Sequence, residues 1–220
     1  MKIGIYPLKQ FRDTVSSWIH LFSAILAIFG LAALLLLGRG NTVKEITLLV
    51  YGLTLILMFS SSTLYHAINT DAATLLRLRK LDHSSIYLLI AGSYTPLCAL
   101  FFTGFWRWDF LGIIWAFALA GIIIKMFVIN APRWVTAGIY LVMGWLSIFA
   151  IKEMIGTMPV GALLWLLVGG LFYTIGAVIY ITKKLDFVPN VFGFHEVWHI
   201  FVSLGALCHF ILILVYIAAV

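Results

Sequence analysis

The composition of this chain excludes the common classes of soluble protein. It has 220 residues, of which 64% are hydrophobic and only 10% are charged, whereas a soluble domain is about half apolar and about a quarter charged. The formal net charge of +6 does not indicate nucleic acid binding, because the basic residues are divided among short stretches between apolar segments. We therefore expect an integral membrane protein with no nucleic acid partner.

Seven apolar segments follow one another along the chain, and most have the roughly 20 residues that a helix needs to span a bilayer. Turn signals such as Gly38-Arg39-Gly40 separate them, and runs of this length lack the alternation of membrane β-strands. The sequence predicts an all-α integral membrane protein in which residues 1–220 form one domain of seven transmembrane helices. The predicted spans are residues 15–37, 46–68, 81–102, 108–128, 134–151, 159–182 and 194–219.

The first segment follows Lys2, Lys9 and Arg12, and at first sight it resembles a signal peptide. It is too long for the apolar core of a signal peptide, and no small-residue cleavage site closes it, so we interpret it as the first span. Cys98 and Cys208 both fall inside apolar segments. They are expected to be buried free thiols rather than a disulfide.

Lysine and arginine are distributed unequally between the two sides of the predicted bundle. The positive-inside rule places the richer side, with the N-terminus, in the cytoplasm, and an odd number of spans places the C-terminus outside. The richer side carries Lys2, Lys9, Arg12, Arg77, Arg79, Lys80, Lys125, Arg133, Lys183 and Lys184, and the other side carries Arg39, Lys44, Arg107 and Lys152.

Four polar side chains stand at the ends of apolar segments on the predicted cytoplasmic side. His66 closes the second segment, Asp82 opens the third, and His195 and His199 lie at the start of the last. This topology brings all four to the same depth in the membrane. Because polar side chains inside hydrocarbon are costly, such a set indicates a functional site.

The spacing of these residues is typical of a catalytic zinc site. His195 and His199 are four residues apart, so on a helix they share one face about 6 Å apart, and His66 supplies a third nitrogen. Three ligands leave a fourth tetrahedral position for water. Asp82 could bind that water and act as the general base. Ser62, one turn before His66, could orient a ligand or donate to a developing oxyanion.

Less specific interpretations exist for each histidine and for Ser62. A single intramembrane histidine is more often a helix–helix hydrogen-bonding residue, and a lone serine often only packs helices closely. His83 should point about 100° away from Asp82, which favours a packing or interfacial role. His20, near the same depth, could support a metal ligand, although we expect a satisfied polar contact. His209 lies about 15 Å beyond the paired histidines, too far to share their metal.

The two paired histidines also enclose Glu196 in an H-E-x-x-H pattern, in which the glutamate of a metalloprotease is the general base. The extended pattern would need a third ligand at position 205, which is Gly205. An intramembrane metalloprotease would also leave Asp82 and Ser62 without a role. We therefore favour it less than a site built around Asp82.

Three stretches resemble those of bacterial hemolysin III-type proteins in the progestin and adipoQ receptor (PAQR) family, whose superfamily includes alkaline ceramidases. They are Ser62-x3-His66, residues 81–96 (LDHSSIYLLIAGSYTP) and residues 192–201 (FGFHEVWHIF). The resemblance covers essentially the whole chain. It implies that His66, His195 and His199 bind zinc and that Asp82 meets the metal through water. The soluble N-terminal region of the eukaryotic receptors has no counterpart here, so hormone recognition is not implied.

Residues and resemblance together predict a zinc-dependent hydrolase of a lipid amide or ester, similar to the ceramidases, in the bacterial cytoplasmic (inner) membrane. Its partners would be membrane lipids, which could enter an intramembrane cavity sideways between the helices. One alternative is a non-enzymatic membrane-stress sensor or regulator with a structural zinc. Another is the cytolytic activity that the family's haemolysin label implies, although no ring of like charges lines any predicted helix as a pore would require.

Overall fold

The polypeptide forms a bundle of seven helical spans, each long and apolar enough to cross a membrane, within the residues that the structure describes. The structure is a computed structural model and describes residues 12–188 and 191–220. The predicted seven-span, all-α architecture is confirmed. The elements are α1 (Thr14–Leu37), α2 (Thr42–Ala67), α3 (Ala72–Phe101), α4 (Gly104–Phe127), α5 (Arg133–Trp145) with a 3₁₀ turn (Leu146–Ala150) and α6 (Ile151–Thr157) as one span, α7 (Val160–Thr182), and α8 (Phe194–Ile213) with a terminal π-turn (Leu214–Ala218).

Short polar connections start two of these helices. The side chain of Asn41 accepts a hydrogen bond from the backbone N–H of Lys44 at the start of α2. Asp71 accepts hydrogen bonds from the N–H groups of Ala73 and Thr74 at the start of α3. Such caps satisfy backbone donors that the first turn of a helix leaves without a partner.

The third span begins nine residues earlier than the sequence predicted. The cap at Asp71 extends the helix through a polar stretch that contains Arg77, Arg79 and Lys80, which we expected in a loop. These long basic side chains lie at one end of a 30-residue helix, where they can reach water while the backbone stays helical. Asp82 therefore lies inside α3, three turns from its start, rather than at the beginning of the helix.

The fifth span extends to Thr157 rather than ending near residue 151. Lys152 and Glu153 end the apolar run in the sequence, but the helix continues past them. The carboxylate of Glu153 accepts hydrogen bonds from the N–H (2.6 Å) and the hydroxyl (2.7 Å) of Thr103, just before α4. Glu153, whose charge suggested the end of the helix, therefore connects the fifth span to the residue that precedes α4.

A tyrosine from α3 marks the point where the fifth span leaves α-helical geometry. The hydroxyl of Tyr94 donates to the carbonyl of Gly144 (2.7 Å) and accepts from the N–H of Ser147 (2.8 Å). A change from α-helix to a 3₁₀ turn leaves some backbone groups without their helical partners. The hydroxyl of Tyr94 satisfies such groups inside the bundle.

The packing of the bundle leaves room beside the fifth span. Consecutive helices α1 to α4 pack against one another in order, α7 packs along α8, and α1 also contacts α8. The fifth span closes the remaining side, mainly through α5, which contacts α7 and, less extensively, α3. His66 of α2 lies together with His195 and His199 of α8 at one end of the bundle, which we call the histidine end.

The orientation of the bundle stays a prediction, and it has a direct test. We expect the histidine end and the N-terminus to be cytoplasmic because basic residues are more frequent on that side; Lys2 and Lys9, two of them, lie outside the described residues. A reporter that is active only outside the cytoplasm should be active when it is fused after Val220. Activity of a cytoplasm-dependent reporter at the same position would reverse the assignment.

Candidate metal centre

Three histidines from two helices meet at the histidine end. His66 lies one residue before the end of α2, and His195 and His199 occupy the first two turns of α8. Each offers one ring nitrogen, and these three nitrogens all lie within 4.8 Å of one another. His66 and His199 are buried and His195 is partly exposed. The structure thus brings the three predicted ligands together, and they are close enough to hold a metal ion.

An aspartate that sequence reasoning missed fixes the orientation of His66. Asp13, immediately before α1, accepts a hydrogen bond of 2.9 Å from Nδ1 of His66. The bond leaves Nε2 of His66 as the nitrogen available to a metal, an arrangement common at histidine ligands. The same hydrogen bond lowers the pKa of Asp13 below its ordinary value, so the carboxylate is ionised at neutral pH.

A serine of α1 supports the other side of the cluster. The hydroxyl of Ser16 lies 3.4 Å from Nδ1 of His195 and donates a 2.9 Å hydrogen bond to Glu196. The second carboxylate oxygen of Glu196 accepts from the backbone N–H of Gly193 at 2.8 Å, which caps α8. Both oxygens of Glu196 are therefore engaged in positioning α8, which does not suit the general base of a metalloprotease.

His20 contacts the cluster by stacking and not, as we expected, through a satisfied polar contact. Its ring lies 4.0 Å from that of His199, centroid to centroid, at an interplanar angle of 25°. Neither nitrogen of His20 has a hydrogen-bond partner in the part of the chain that the structure describes. His20 thus supports His199 through ring packing.

Asp82 and Ser62, the predicted catalytic residues, are both buried and both line the cavity that contains the histidines. A carboxylate oxygen of Asp82 lies 3.4 Å from Nδ1 of His83. His83 also lines the cavity, although we expected it to point away from Asp82. Adjacent helical positions are about 100° apart, and two such positions can both border a wide cavity.

The donor set fits zinc. Three imidazole nitrogens favour zinc over the oxygen-seeking Mg²⁺ and Ca²⁺. Tetrahedral ligands at about 2.0–2.1 Å from zinc lie roughly 3.3 Å apart, and the three nitrogens lie within 4.8 Å of one another. Nδ1 of His199 is buried without a hydrogen-bond partner in the described residues. His209 lies outside this group, against Tyr173, in agreement with the prediction that it is too distant.

A cavity of about 600 Å³ extends from the three histidines through the bundle. Its volume is within the range of ligand-binding pockets. Phe102 and Met158, which follow the far ends of α3 and the fifth span, line its opposite end. The charged residues that line it, Asp13, Arg79, Asp82 and Arg133, all lie at the histidine end. The cavity therefore has a polar head and a long, largely apolar body.

Comparison with known proteins places this architecture in a family. The sequence pattern described as "Haemolysin-III related" matches residues 8–210. The chain belongs to the haemolysin-III-related family. It is 37% identical over 200 residues to "Hemolysin-3" of Bacillus cereus, covering 90% of this chain and 88% of that protein. It is 34% identical over 214 residues to "Hemolysin-3 homolog" of Bacillus subtilis (strain 168), covering 96% of each.

The haemolysin-III-related family also has a human relative at lower similarity. "Monocyte to macrophage differentiation factor" of Homo sapiens is 28% identical over 211 residues, covering 94% of this chain and 85% of that protein. The resemblance drawn from the three sequence stretches is thus confirmed, since the PAQR family is the same haemolysin-III-related family. Seven apolar spans and these relatives make the chain a multi-pass bacterial membrane protein.

The bond between Asp13 and His66 leads to a prediction for this haemolysin-III-related protein. Asp13→Asn should weaken metal binding by about 10- to 100-fold, the usual effect of removing a carboxylate that orients a histidine ligand. Metal competition with a chromogenic chelator measures this. Asp71→Asn is a matched control, because asparagine can also cap α3; it should bind metal as the wild type does. Equal affinity in all three proteins would show that Asp13 does not support the site.

Proposed function

We propose that this protein binds zinc through His66, His195 and His199 and hydrolyses an amide or ester bond of a membrane lipid. The observation that carries the proposal is the meeting of three histidine nitrogens at the polar head of a long apolar cavity. Soluble enzymes with small polar substrates do not need such a cavity. A lipid, by contrast, would bury its hydrocarbon in the apolar body and leave its polar bonds beside the histidines.

Different residues of the chain have different roles in the proposed reaction. A zinc ion at this site supplies a polarising charge for the scissile carbonyl and lowers the pKa of a water molecule. Asp82, buried on the cavity wall, takes the proton from the attacking water. It then returns a proton to the leaving amine or alcohol, as a general base and then acid. Ser62 donates a hydrogen bond to the oxygen on which negative charge develops.

The support around the site favours precise positioning of these groups. Asp13 orients His66, Ser16 contacts His195, and His20 stacks on His199. Each of the three proposed ligands thus has its own partner from α1 or the residue preceding it. Such support reduces the reorganisation that the site would need during reaction.

The proposal is tested with purified protein and a panel of ceramides, other acyl amides and phospholipid esters. Released fatty acid is measured for the wild type and for protein from which metal has been removed by chelation. Release by the wild type, lost on chelation and restored by zinc, is the expected result. No release above the chelated control across the panel would remove the main support for a hydrolase.

A structural metal in a membrane-stress sensor or regulator is the second candidate, and the arrangement of helices favours it specifically. The proposed ligands come from α2 and α8, which both pack on α1 but share few direct contacts. A metal between His66 and the two histidines of α8 would therefore join helices that little else connects. In this case removal of the metal should loosen the bundle, and Asp82 should matter little.

Cytolytic activity has less support. The Bacillus cereus relative is named "Hemolysin-3", and that name concerns the relative. In the cavity the charged side chains gather at one end. Selective pores instead have rings of like charge along the conduction path, and the cavity does not resemble that arrangement.

A further inference from the structure

We infer that the cavity accepts a lipid with an anionic headgroup, a phosphate or a carboxylate, held between Arg79 and Arg133. Both side chains line the cavity. Arg79 lies on α3, one turn before Asp82, and Arg133 is the first residue of α5. Two different helices thus bring a guanidinium group to the same polar head. A pair of this kind suits the two or three oxygens of one acidic group.

The present partners of these two arginines are uncharged. Arg79 donates to the amide oxygen of Asn130 at 3.2 Å. The guanidinium of Arg133 lies 5.3 Å from the ring centroid of Tyr180 and 5.0 Å from that of Phe194. Within residues 12–188 and 191–220, neither forms an ion pair with a carboxylate, whereas Arg12 pairs with Asp13 at 3.4 Å. The two positive charges are therefore available to a ligand.

Arg133 is connected to the metal centre through one aromatic ring. Tyr180, on which it lies, has its ring centroid 6.1 Å from that of His195. Phe194, the other ring under the guanidinium, precedes His195 in the chain. An acidic headgroup beside Arg133 would therefore place the next bonds of the same lipid near the histidines. Its acyl chain would extend into the apolar body of the cavity.

Binding of an anionic lipid does not require turnover. The further statement that such lipids are the substrates rests on the proposed hydrolase function. Under that function the substrate class narrows to amide- or ester-linked lipids with an acidic headgroup. Neutral amides would then be poor substrates even though they fit the apolar body.

Basic residues also occur at this end for topological reasons, and one of them provides a control. Lysine and arginine residues that set the orientation of a membrane protein need only lie near the membrane surface. Arg77 meets that requirement. It is exposed, as Arg133 also is, but unlike Arg79 and Arg133 it is not among the residues that line the cavity. If Arg79 and Arg133 served topology alone, changing them should resemble changing Arg77.

The test uses ether-linked single-chain lipids, which have no amide or ester bond to hydrolyse. Three probes share one alkyl chain and carry a glycerophosphate, a carboxylate or an uncharged glycerol headgroup. Binding is measured with the full-length protein in nanodiscs of zwitterionic lipid. The wild type should bind at least one acidic probe about tenfold or more tightly than the neutral probe, as expected for a charge-assisted hydrogen bond. The acidic probe that binds more tightly identifies the preferred headgroup.

Arg79→Gln and Arg133→Gln should each lose about tenfold in affinity for that acidic probe and little for the neutral one, while Arg77→Gln should match the wild type. Equal binding of acidic and neutral probes by the wild type would overturn the inference, and this comparison needs no variant. An equal loss in Arg77→Gln would also overturn it. Because the probes cannot be hydrolysed, a failed activity panel with selective binding would refute the hydrolase and leave this site in place.

Discussion

Zinc should co-purify with the wild-type protein at about one ion per chain, and the combined variant His66→Ala, His195→Ala, His199→Ala should lose it. The three nitrogens lie within 4.8 Å of one another, and imidazole is a preferred ligand of zinc. Each single variant should bind zinc at least about a hundredfold more weakly, since even the loss of an orienting partner costs 10- to 100-fold. Elemental analysis of the purified proteins provides the measurement.

His209→Ala is the matched control for the zinc prediction. His209 also lies on α8 and lines the same cavity, but it is outside the histidine group. Its replacement should leave the zinc content unchanged. Undiminished zinc in the combined variant would exclude the site, and zinc loss in His209→Ala as well would indicate a general effect on folding.

Asp82→Asn should abolish most lipid hydrolysis while the protein retains its zinc. The substitution keeps the size of the side chain but removes the base, so the expected decrease in kcat is about 10²- to 10⁴-fold. KM should change much less, because the acyl chain is bound elsewhere in the cavity. Fatty acid release is measured with the best substrate of the panel, together with zinc content and thermal unfolding.

The same variants separate the hydrolase from a protein with a structural metal. A structural site predicts that loss of a histidine ligand lowers Tm, because α2 and α8 have few direct contacts, and that Asp82→Asn has little effect. A hydrolase predicts that Asp82→Asn loses activity at unchanged Tm. Equal activity of wild type and Asp82→Asn would exclude Asp82 as the base, whatever the role of the metal.

The sequence predicted the group of three histidines better than the support around it. His195 and His199 could be paired because four residues make just over one helical turn. His66 could be added because the topology placed it at the same depth. Asp13 gave no comparable signal, because it lies 53 residues from His66 and the hydrogen bond depends on how α1 packs against α2. The same applies to Ser16, which contacts residues 179 and 180 positions away.

Helix boundaries were less predictable where charged residues have partners in another helix. Hydropathy ended the fifth span near Lys152 and Glu153, but the hydrogen bonds from Thr103 to Glu153 allow the helix to continue. Hydropathy also began the third span near residue 81, whereas the cap at Asp71 starts it at Ala72. In both cases the free energy of a polar contact, which hydropathy does not include, decides the boundary.

The sequence by itself determined that the chain crosses the membrane seven times, because each run of about 20 apolar residues must satisfy its backbone as a helix in lipid. It also determined which histidines can share a metal. Only the tertiary structure decided that these histidines form the head of a 600 Å³ cavity and that Arg79 and Arg133 lie on its wall. The physical reason is that a cavity is the space left between helices. Its position depends on how distant helices pack. Here the fifth span, which changes to a 3₁₀ turn where Tyr94 meets Gly144 and Ser147, forms one wall of the cavity.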